Sequence, residues 1–410
     1  MTEALVRGRD FCRSCSSVDL IEALDLGSLP IANELLPNPS ASDVFPLELK
    51  VCKECALGQV ADVVTSSRLF RDYRYLSSIS KTFLLHAQEY CEKVLQNLDW
   101  EPNDWILEIA SNDGYLLKNF HERGLKVLGV EPAENIAQCA IDKGIPTISE
   151  FFGSELANKI LKEHGQPRLI VANNVYAHVP DIQDFTNGLS ILMNDRTLVS
   201  IENPSIMNLL NDMQFDSIYH EHFSYLSATS VNYLARKFEL TLSNIESIST
   251  HGGSNRYWLQ KGSLPQSPKV EELMKQESMQ GITSDERWSI FQAKVNGIIK
   301  AFQTFIKEKR EVGEVVAGYG AAAKASTLIN AAKLESGDIA FIVDESPEKA
   351  GRFMPTACVP IVNVDQSKTD KIDHVVIFPW NLSIEIASKI RTRFGEAVSI
   401  WRAIPRLERI

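Results

Sequence analysis

The chain has 410 residues, enough for two or three domains, and its 44% hydrophobic and 23% charged content is that of a globular protein with a sizeable core. A net charge of −11 and a pI of about 5.4 argue against a nucleic-acid or anionic-membrane partner, because neutralising phosphates needs an excess of Lys and Arg. No apolar run approaches the roughly 20 residues of a membrane helix, and the N-terminus has no signal-peptide core, so a cytoplasmic protein is expected.

Residues 1–80 carry Cys12-Arg-Ser-Cys15 and Cys52-Lys-Glu-Cys55. Each knuckle places two thiolates on one edge of a metal, and two knuckles complete a tetrahedron. Zinc on Cys12, Cys15, Cys52 and Cys55 is expected, with no open position and hence a structural role. The alternative, redox C-x-x-C pairs, is less well supported, since such motifs come singly on a βα unit. Strand-like pieces surround Leu24 and Leu47. Cys91, Cys139 and Cys358 stand alone and read as buried free thiols. A polar and aromatic stretch, Arg71-Asp-Tyr-Arg-Tyr-Leu-Ser-Ser78, then leads into a helix over 81–98. It is either a packed linker or a group of side chains reaching into a neighbouring pocket.

From 100 to 260 strands alternate with helices. Strands are predicted at 105–109, 126–130, 168–173 and 196–202, and helices at 115–123, 134–143, 154–164, 181–193 and 229–238. This is the βαβ pattern of a doubly wound parallel sheet. Trp105-Ile-Leu-Glu-Ile-Ala-Ser-Asn-Asp-Gly114 is a strand, a loop of small residues and a helix start. Lys126-Val-Leu-Gly-Val-Glu131 follows as a second strand ending in an acid. The loop admits a ligand close to the backbone, and Glu131 can accept from two ribose hydroxyls. Only Gly114 is a glycine, so a pyrophosphate cradle is poorly supported, and S-adenosylmethionine is the expected ligand. The competing reading is a plain strand–turn–helix.

Asp216-Ser-Ile-Tyr-His-Glu-His-Phe-Ser-Tyr225 is dense in groups that move protons, and it follows the strand end Ile201-Glu-Asn-Pro204. A histidine base near neutral pH fits this cluster, and a His-x-His metal site lacks a third ligand. Glu221 is expected to orient an imidazole and Tyr219 to donate to an oxyanion. His178, in Asn174-Val-Tyr-Ala-His178, ends the preceding strand–loop and can face the same cleft. Residues 240–249 and 255–260 read as an antiparallel pair closing the sheet. Phe291, Val295, Ile298, Ile299, Phe302, Phe305 and Ile306 then mark a long helix over 290–309 that links domains. From 312 a second βαβ series begins with Val315-Val-Ala-Gly-Tyr-Gly-Ala-Ala-Ala-Lys324, and a strand ends in Asp344. An internal duplication is expected. Lys324 at the helix start suits either phosphate contact or mere fold.

Taken together, the paired Cys-x-x-Cys knuckles, Glu-Ile-x-Ser-Asn-Asp-Gly, Asn-Asn-Val-x-x-His-Val, Tyr-x-Glu-His-x-x-Tyr, His-Gly-Gly-Ser-x-Arg and Gly-Tyr-Gly-Ala-x-Ala-Lys resemble the sugar C-methyltransferases that act on nucleotide-linked keto-deoxysugars. The resemblance spans the chain. It implies an N-terminal zinc-binding domain over 1–80, a central class I S-adenosylmethionine-methyltransferase (Rossmann-like) domain over 81–285, and a C-terminal Rossmann-like domain over 286–410 that binds sugar nucleotide. It implies methylation at C-3 of a 4-keto-6-deoxysugar on dTDP or GDP. A monomer or weak homo-oligomer is expected. Carried over by motif, Glu108, Ala110, Asn112, Gly114, Glu131, Pro132, Asn173 and Asn174 fall on cofactor positions. His222, Glu221, Tyr219 and His178 fall on catalytic ones. Tyr75, Ser78, Asn203, Arg256, Tyr319 and Lys324 are the expected substrate contacts, Arg256 and Lys324 as anion contacts. Ala110 stands where the family often has glycine, and Asn255 and Ala325 also depart from its commoner residues. Other classes to weigh are an O- or N-methyltransferase of a small metabolite, an NAD-dependent sugar oxidoreductase using 312–344, and a zinc-knuckle nucleic-acid binder, which the net charge opposes.

Overall fold

The computed structural model describes residues 10–62, 64–65, 69, 78, 81–365 and 371–410. Three sheets build it. The first begins with β1 (Leu20–Pro30), β2 (Val44–Cys52) and β3 (Gly58–Val60), antiparallel neighbours whose alternating burial puts Ile21, Leu47, Leu49 and Val51 inside.

The second sheet contains β4 (Trp105–Ile109), β5 (Lys126–Val130), β6 (Thr147–Ile148), β7 (Leu169–Asn173) and β8 (Leu198–Pro204), all parallel. Helices on both faces bury these strands, which is why they read as continuous apolar runs. A short strand, β9 (Ser224–Tyr225), leaves this sheet and pairs with β3 as the fourth strand of the first one. The chain returns through the Ala228–Lys237 helix to β10 (Leu240–Ile248) and β11 (Ser254–Lys261), an antiparallel pair that joins β8. The order is β10-β11-β8-β7-β4-β5-β6. This is the parallel sheet closed by an antiparallel pair that characterises the class I methyltransferase fold. The strands at 105–109 and 126–130 and the closing pair fall where the pattern predicts. The helix Ile206–Asn211 and the edge strands β6 and β9 carry too few residues for a periodic signal and went unpredicted.

The 27-residue helix Asp285–Glu311 covers the predicted long stripe and extends beyond it. A Ser284 cap and two acids in its first turn fix its start. It leads into the third sheet, whose first members are β12 (Val316–Tyr319), β13 (Ile342–Val343), β14 (Ile361–Val362), β15 (His374–Ile377), β16 (Ser399–Arg402) and β17 (Glu408–Arg409). These are parallel except for β17 and run in the order β14-β13-β12-β15-β16-β17.

The expected duplication has a structural counterpart. Glu131, after β5, accepts from Asn112 N at 3.1 Å and from Ala133 N at 3.0 Å. Asp344, after β13, accepts from Ala321 N at 2.8 Å and from Ser346 N at 2.9 Å. In each sheet the second strand's acid clamps the loop after the first strand and caps its own turn.

The cores do not follow the sheets. Leu49, Val51 and Ile21 from the first sheet pack in one apolar cluster with Leu210, Phe215, Phe291, Phe302, Leu328 and Ile342. Cys12, Cys52 and Cys55 belong instead to the cluster of Ile201, Leu226 and Val231 beneath the second sheet. The N-terminal segment is therefore wedged between the other two. Of the lone cysteines, Cys91 is buried as expected, whereas Cys139 and Cys358 are half-buried at the surface. Phe302→Ala should cost about 3–5 kcal/mol, the usual loss for a buried phenyl ring. Because Phe302 lies in the shared cluster, urea unfolding followed by tryptophan fluorescence and by far-UV dichroism should move together in one transition.

Candidate active site

The four thiols Cys12, Cys15, Cys52 and Cys55 converge with every sulfur within 4.8 Å of the others. The closest pairs, Cys12–Cys55 and Cys15–Cys52, are 3.4 Å apart. None forms a disulfide. Four sulfurs at such separations fit one tetrahedral zinc with about 2.3 Å bonds. The tight turn after each first cysteine supplies the geometry, with Ser16 N and Ala56 N each donating to the carbonyl four residues before, at 2.9 Å.

At the carboxyl end of the second sheet the loop after β4 alternates through left-handed conformations at Ala110, Asn112 and Gly114 (φ +55°, +50° and +76°). This turns the Asn112 amide onto Glu131. Gly114 is needed twice over, since a Cβ there would lie 3.0 Å from Ile145. Ala110 holds a conformation in which glycine is strain-free, the physical meaning of the family's preference there. Glu108, at the end of β4, is wholly buried, and burial pushes its carboxyl well above the usual range against a bond from the Leu117 amide. Burial also raises Glu131, opposed by its two backbone donors. Pro132 continues this turn. Asn173 ends β7, and Asn174 follows at φ +54° with its amide on Glu202 O at 2.6 Å.

Among the described residues, several buried polar atoms along these strand ends lack partners: Glu108 Oε2, Asn173 Oδ1, and both side-chain atoms of Asn203. Unmet donors and acceptors at the carboxyl ends of parallel strands fit a polar nucleoside and amino-acid ligand. S-adenosylmethionine is such a ligand.

Beside them the reactive stretch folds over its own short 3₁₀ turn, Phe215–Ser217. His222 Nδ1 donates to Ser217 O at 3.1 Å, so Nε2 is the accepting nitrogen and takes a 2.8 Å bond from Tyr219 Oη. His178 is oriented the same way, with Nδ1 donating to Glu221 O at 2.7 Å. The two imidazoles meet edge to face at 4.7 Å between centroids. Burial pulls His178 down to about 4, so it is neutral at pH 7. His222 and Asn203 line one small cavity with Gln214, Ser217 and Tyr225. The structure thus brings together His222, Tyr219, His178 and Asn203.

Other expected residues lie elsewhere. The Glu221 carboxylate does not orient an imidazole. It accepts from Asn33 N at 3.2 Å and Asn33 Nδ2 at 3.0 Å, in the N-terminal segment, and backbone carbonyls orient the histidines instead. His220 is also turned away, its Nε2 shared between Phe45 O and Pro46 O at 3.2 Å. Arg256 is not an available anion contact. It is buried in an ion pair with Glu202 at 2.7 Å, a second with Glu246 at 3.4 Å, and a 4.5 Å approach to the Tyr90 ring. Burial would raise Glu202, but His86 and Arg256 overcome it and hold the carboxyl at about 2. Tyr319 Oη donates to Glu345 at 2.6 Å within the third sheet. Lys324 is half-buried, its ammonium 3.9 Å from the Trp380 ring centre. Ser78 is half-buried, and Tyr75 lies outside the described residues.

Three contacts had no sequence signal. Asn33 sits in no motif. Asp216, in the reactive stretch but given no role, accepts from Trp380 Nε1 at 2.8 Å, and burial lifts its carboxyl to about 6. Trp380 also packs on the His-Gly-Gly turn, where a Cβ on Gly252 would lie 2.5 Å from the indole. A glycine pair followed by a distant tryptophan was the only available hint.

Two outcomes follow. His178 has an ordinary value near 6.5 when unfolded and about 4 when folded, so between these values only the unfolded chain takes up the proton. Its contribution is complete above pH 6.5 and lost as pH falls towards 4. Relative to His178→Gln, the protein should lose on the order of 3 kcal/mol of stability from pH 7 to pH 4, read by urea titration. Stripping zinc with a strong chelator should lower the melting temperature of the chain in a calorimetric scan, and Cys52→Ser should do so without chelator.

Residues 12–70 match the family model described as "Putative zinc binding domain", residues 83–244 that of a methyltransferase domain, and residues 249–405 that of the C-methyltransferase C-terminal domain. The C-methyltransferase NovU of Streptomyces niveus is 31% identical over 387 residues, covering 93% of this chain and 92% of that protein. Among solved structures, the magnesium protoporphyrin IX methyltransferase of Synechocystis PCC 6803 with bound SAM covers 48% of this chain and 89% of its own, at 13% identity and a TM-score of 0.33. The CcbJ methyltransferase of Streptomyces caelestis covers 43% and 90%, at 11% identity and 0.34. Superposition at such scores is loose, and the fold rests on the strand order and the family model. Among the described residues no helix is long and apolar enough to cross a membrane. The zinc knuckles, the sheet order, the three matched segments and the full-length relative agree: the chain belongs to the S-adenosylmethionine-dependent C-methyltransferases with a zinc-binding N-terminal domain.

Proposed function

We propose that the acceptor is a nucleotide-linked 4-keto-6-deoxysugar, of dTDP or GDP type, and that the methyl goes to C-3. The observation that carries this reading is the pairing of His222 Nε2 with Tyr219 Oη in a cleft beside His178 and Asn203. A hydrogen on carbon beside a ketone is acidic because its loss gives an enolate, and a neutral imidazole of fixed tautomer is a suitable base.

His222 Nε2 takes the proton from the carbon next to the ketone. Tyr219 Oη, released from Nε2 as the imidazole becomes protonated, donates to the oxygen on which charge develops. Ser217 O holds the imidazolium through Nδ1–H. His178 stays neutral and fills the wall of the cleft. When bound, S-adenosylmethionine supplies the methyl, whose bond to sulfur breaks as the new carbon–carbon bond forms. Glu108, Ala110, Asn112, Gly114, Glu131, Pro132, Asn173 and Asn174 are the residues proposed to hold it. Asn203, Ser78 and Tyr75 are proposed substrate contacts, with Lys324 and Tyr319 towards the nucleotide. Arg256 serves the site through Glu202, at the end of β8, rather than through an anion. The ketone acidifies both flanking carbons alike, and the choice of C-3 rests on the family resemblance.

The test is a panel of dTDP-, GDP-, CDP- and UDP-linked 4-keto sugars with labelled S-adenosylmethionine, the product analysed by NMR. Label on C-3 supports the proposal, label on the other flanking carbon corrects its position, and label on oxygen or nitrogen, or on no sugar, refutes it. His222→Ala should lower turnover by about 10²–10⁴-fold while S-adenosylmethionine affinity stays within a few-fold. Unchanged turnover removes His222 as the base.

A further inference from the structure

Arg13 lies between the two cysteines of the first knuckle, yet only 2% of it is exposed. Its guanidinium donates to the main-chain carbonyl of Phe223 and, at 2.6 Å, to that of Val60. These carbonyls lie on facing chains. Val60 ends β3, Phe223 precedes β9, and Val60 N itself donates to Phe223 O at 3.2 Å. The planar fork therefore straddles the strand pair that fastens the reactive stretch to the N-terminal sheet. The backbone of Arg13 is fixed from both sides, its amide donating to Gln59 Oε1 at 2.9 Å and its carbonyl accepting from Gln183 Nε2 at 2.7 Å. The guanidinium also lies 5.9 Å from the Phe223 ring centre.

Phe223 follows His222 directly. Its amide donates to Ala177 O at 2.7 Å, and Ala177 precedes His178. One residue, Phe223, thus joins the backbones that carry both histidines, its amide on the Ala177 carbonyl and its own carbonyl held by Arg13. We propose that Arg13 is a positioning residue, through which the metal knuckle sets the place of His222 and His178 in the cleft. This rests on the reading of His222 as the base. Metal–sulfur bonds at Cys12 and Cys15 would pin the chain on either side of Arg13, so the knuckle acts on the reactive loop as well as on stability. A lysine cannot reproduce the contact, because a point charge does not span two carbonyls as a fork does.

The test compares zinc-loaded full-length protein with Arg13→Met and Arg13→Lys. The first readout needs no substrate: the imidazole resonances of His222 and His178, assigned with His222→Gln and His178→Gln. In Arg13→Met both should shift, while zinc content is retained and S-adenosylmethionine affinity stays within about threefold. Arg13→Lys should fall between Arg13→Met and the unaltered protein. The second readout is exchange of the sugar's ring proton with solvent in the absence of methyl donor. Exchange and kcat should fall together by about tenfold or more with KM little changed, as for a slightly misplaced base. Unmoved resonances and rates in folded Arg13→Met overturn the proposal. So does an equal loss of zinc, cofactor affinity and melting temperature with no selective effect on the histidines. If the resonances shift but the unaltered protein exchanges no sugar proton, the base assignment fails and the positioning of the two histidines stands. If Arg13→Met does not fold, the resonances of Arg13→Lys decide.

Discussion

The pairing of β9 with β3 is the constraint on which the rest depends. Two residues that leave the reactive stretch, Ser224 and Tyr225, complete the sheet of the zinc-bearing segment. Without that pairing the stretch would be a surface loop, and loops of this kind are mobile. With it, His222 sits two residues from a strand and five residues from the carbonyl that fixes its tautomer. The role proposed for His222 needs this order, since a small displacement of a base costs much of its effect. The N-terminal segment is in turn held by two apolar clusters, one shared with the third sheet and one with the second.

The cleft is arranged so that charge is admitted sparingly. His220 is buried and His178 half-buried, and desolvation keeps both below their ordinary values. Backbone carbonyl oxygens, Glu221 O and Ser217 O, accept from Nδ1 of His178 and His222 and fix the orientation of both rings. Glu202, held at about 2, is paired with His86 and Arg256. Removing Arg256 would take its permanent cation from the buried Glu202 carboxylate, which is costlier than the net worth of the pair. Arg256 therefore reads as a support for the end of β8.

Much of this was legible in the sequence, for reasons that can be named. The knuckles were, because metal geometry demands local pairs of thiols. The strand ends with Glu131 and Asp344 were, because a carboxylate after an apolar run recurs in both βαβ units. Tyr219, His222 and His178 were, because several proton carriers within a few residues rarely serve packing alone. What the sequence concealed was partner identity across long separations. Glu221 looked like a neighbour of His222 and turned out to bind Asn33, because Tyr219 to His222 form a turn, closed by His222 N on Tyr219 O at 2.9 Å, and the two side chains leave it towards different neighbours. Arg256 looked available because its counter-charges lie on other elements. Asp216 and Trp380 are 164 residues apart, and only folding brings them to 2.8 Å. The edge strands were missed because two residues carry no period.

The place of β9 also bears on how the chain is made. The strand that β3 needs is synthesised about 160 residues after it, and the Phe291 and Phe302 that cover the first sheet come later still. A ribosome adding roughly 5–20 residues each second therefore exposes the zinc segment for many seconds before its fourth strand exists. During that interval an unpaired β3 edge and an uncovered apolar face are open to other chains. The four cysteines can gather early, since all lie within the first 55 residues. Metal capture on the nascent chain would order β1 to β3 in advance and leave a template on which the reactive stretch lands when it emerges.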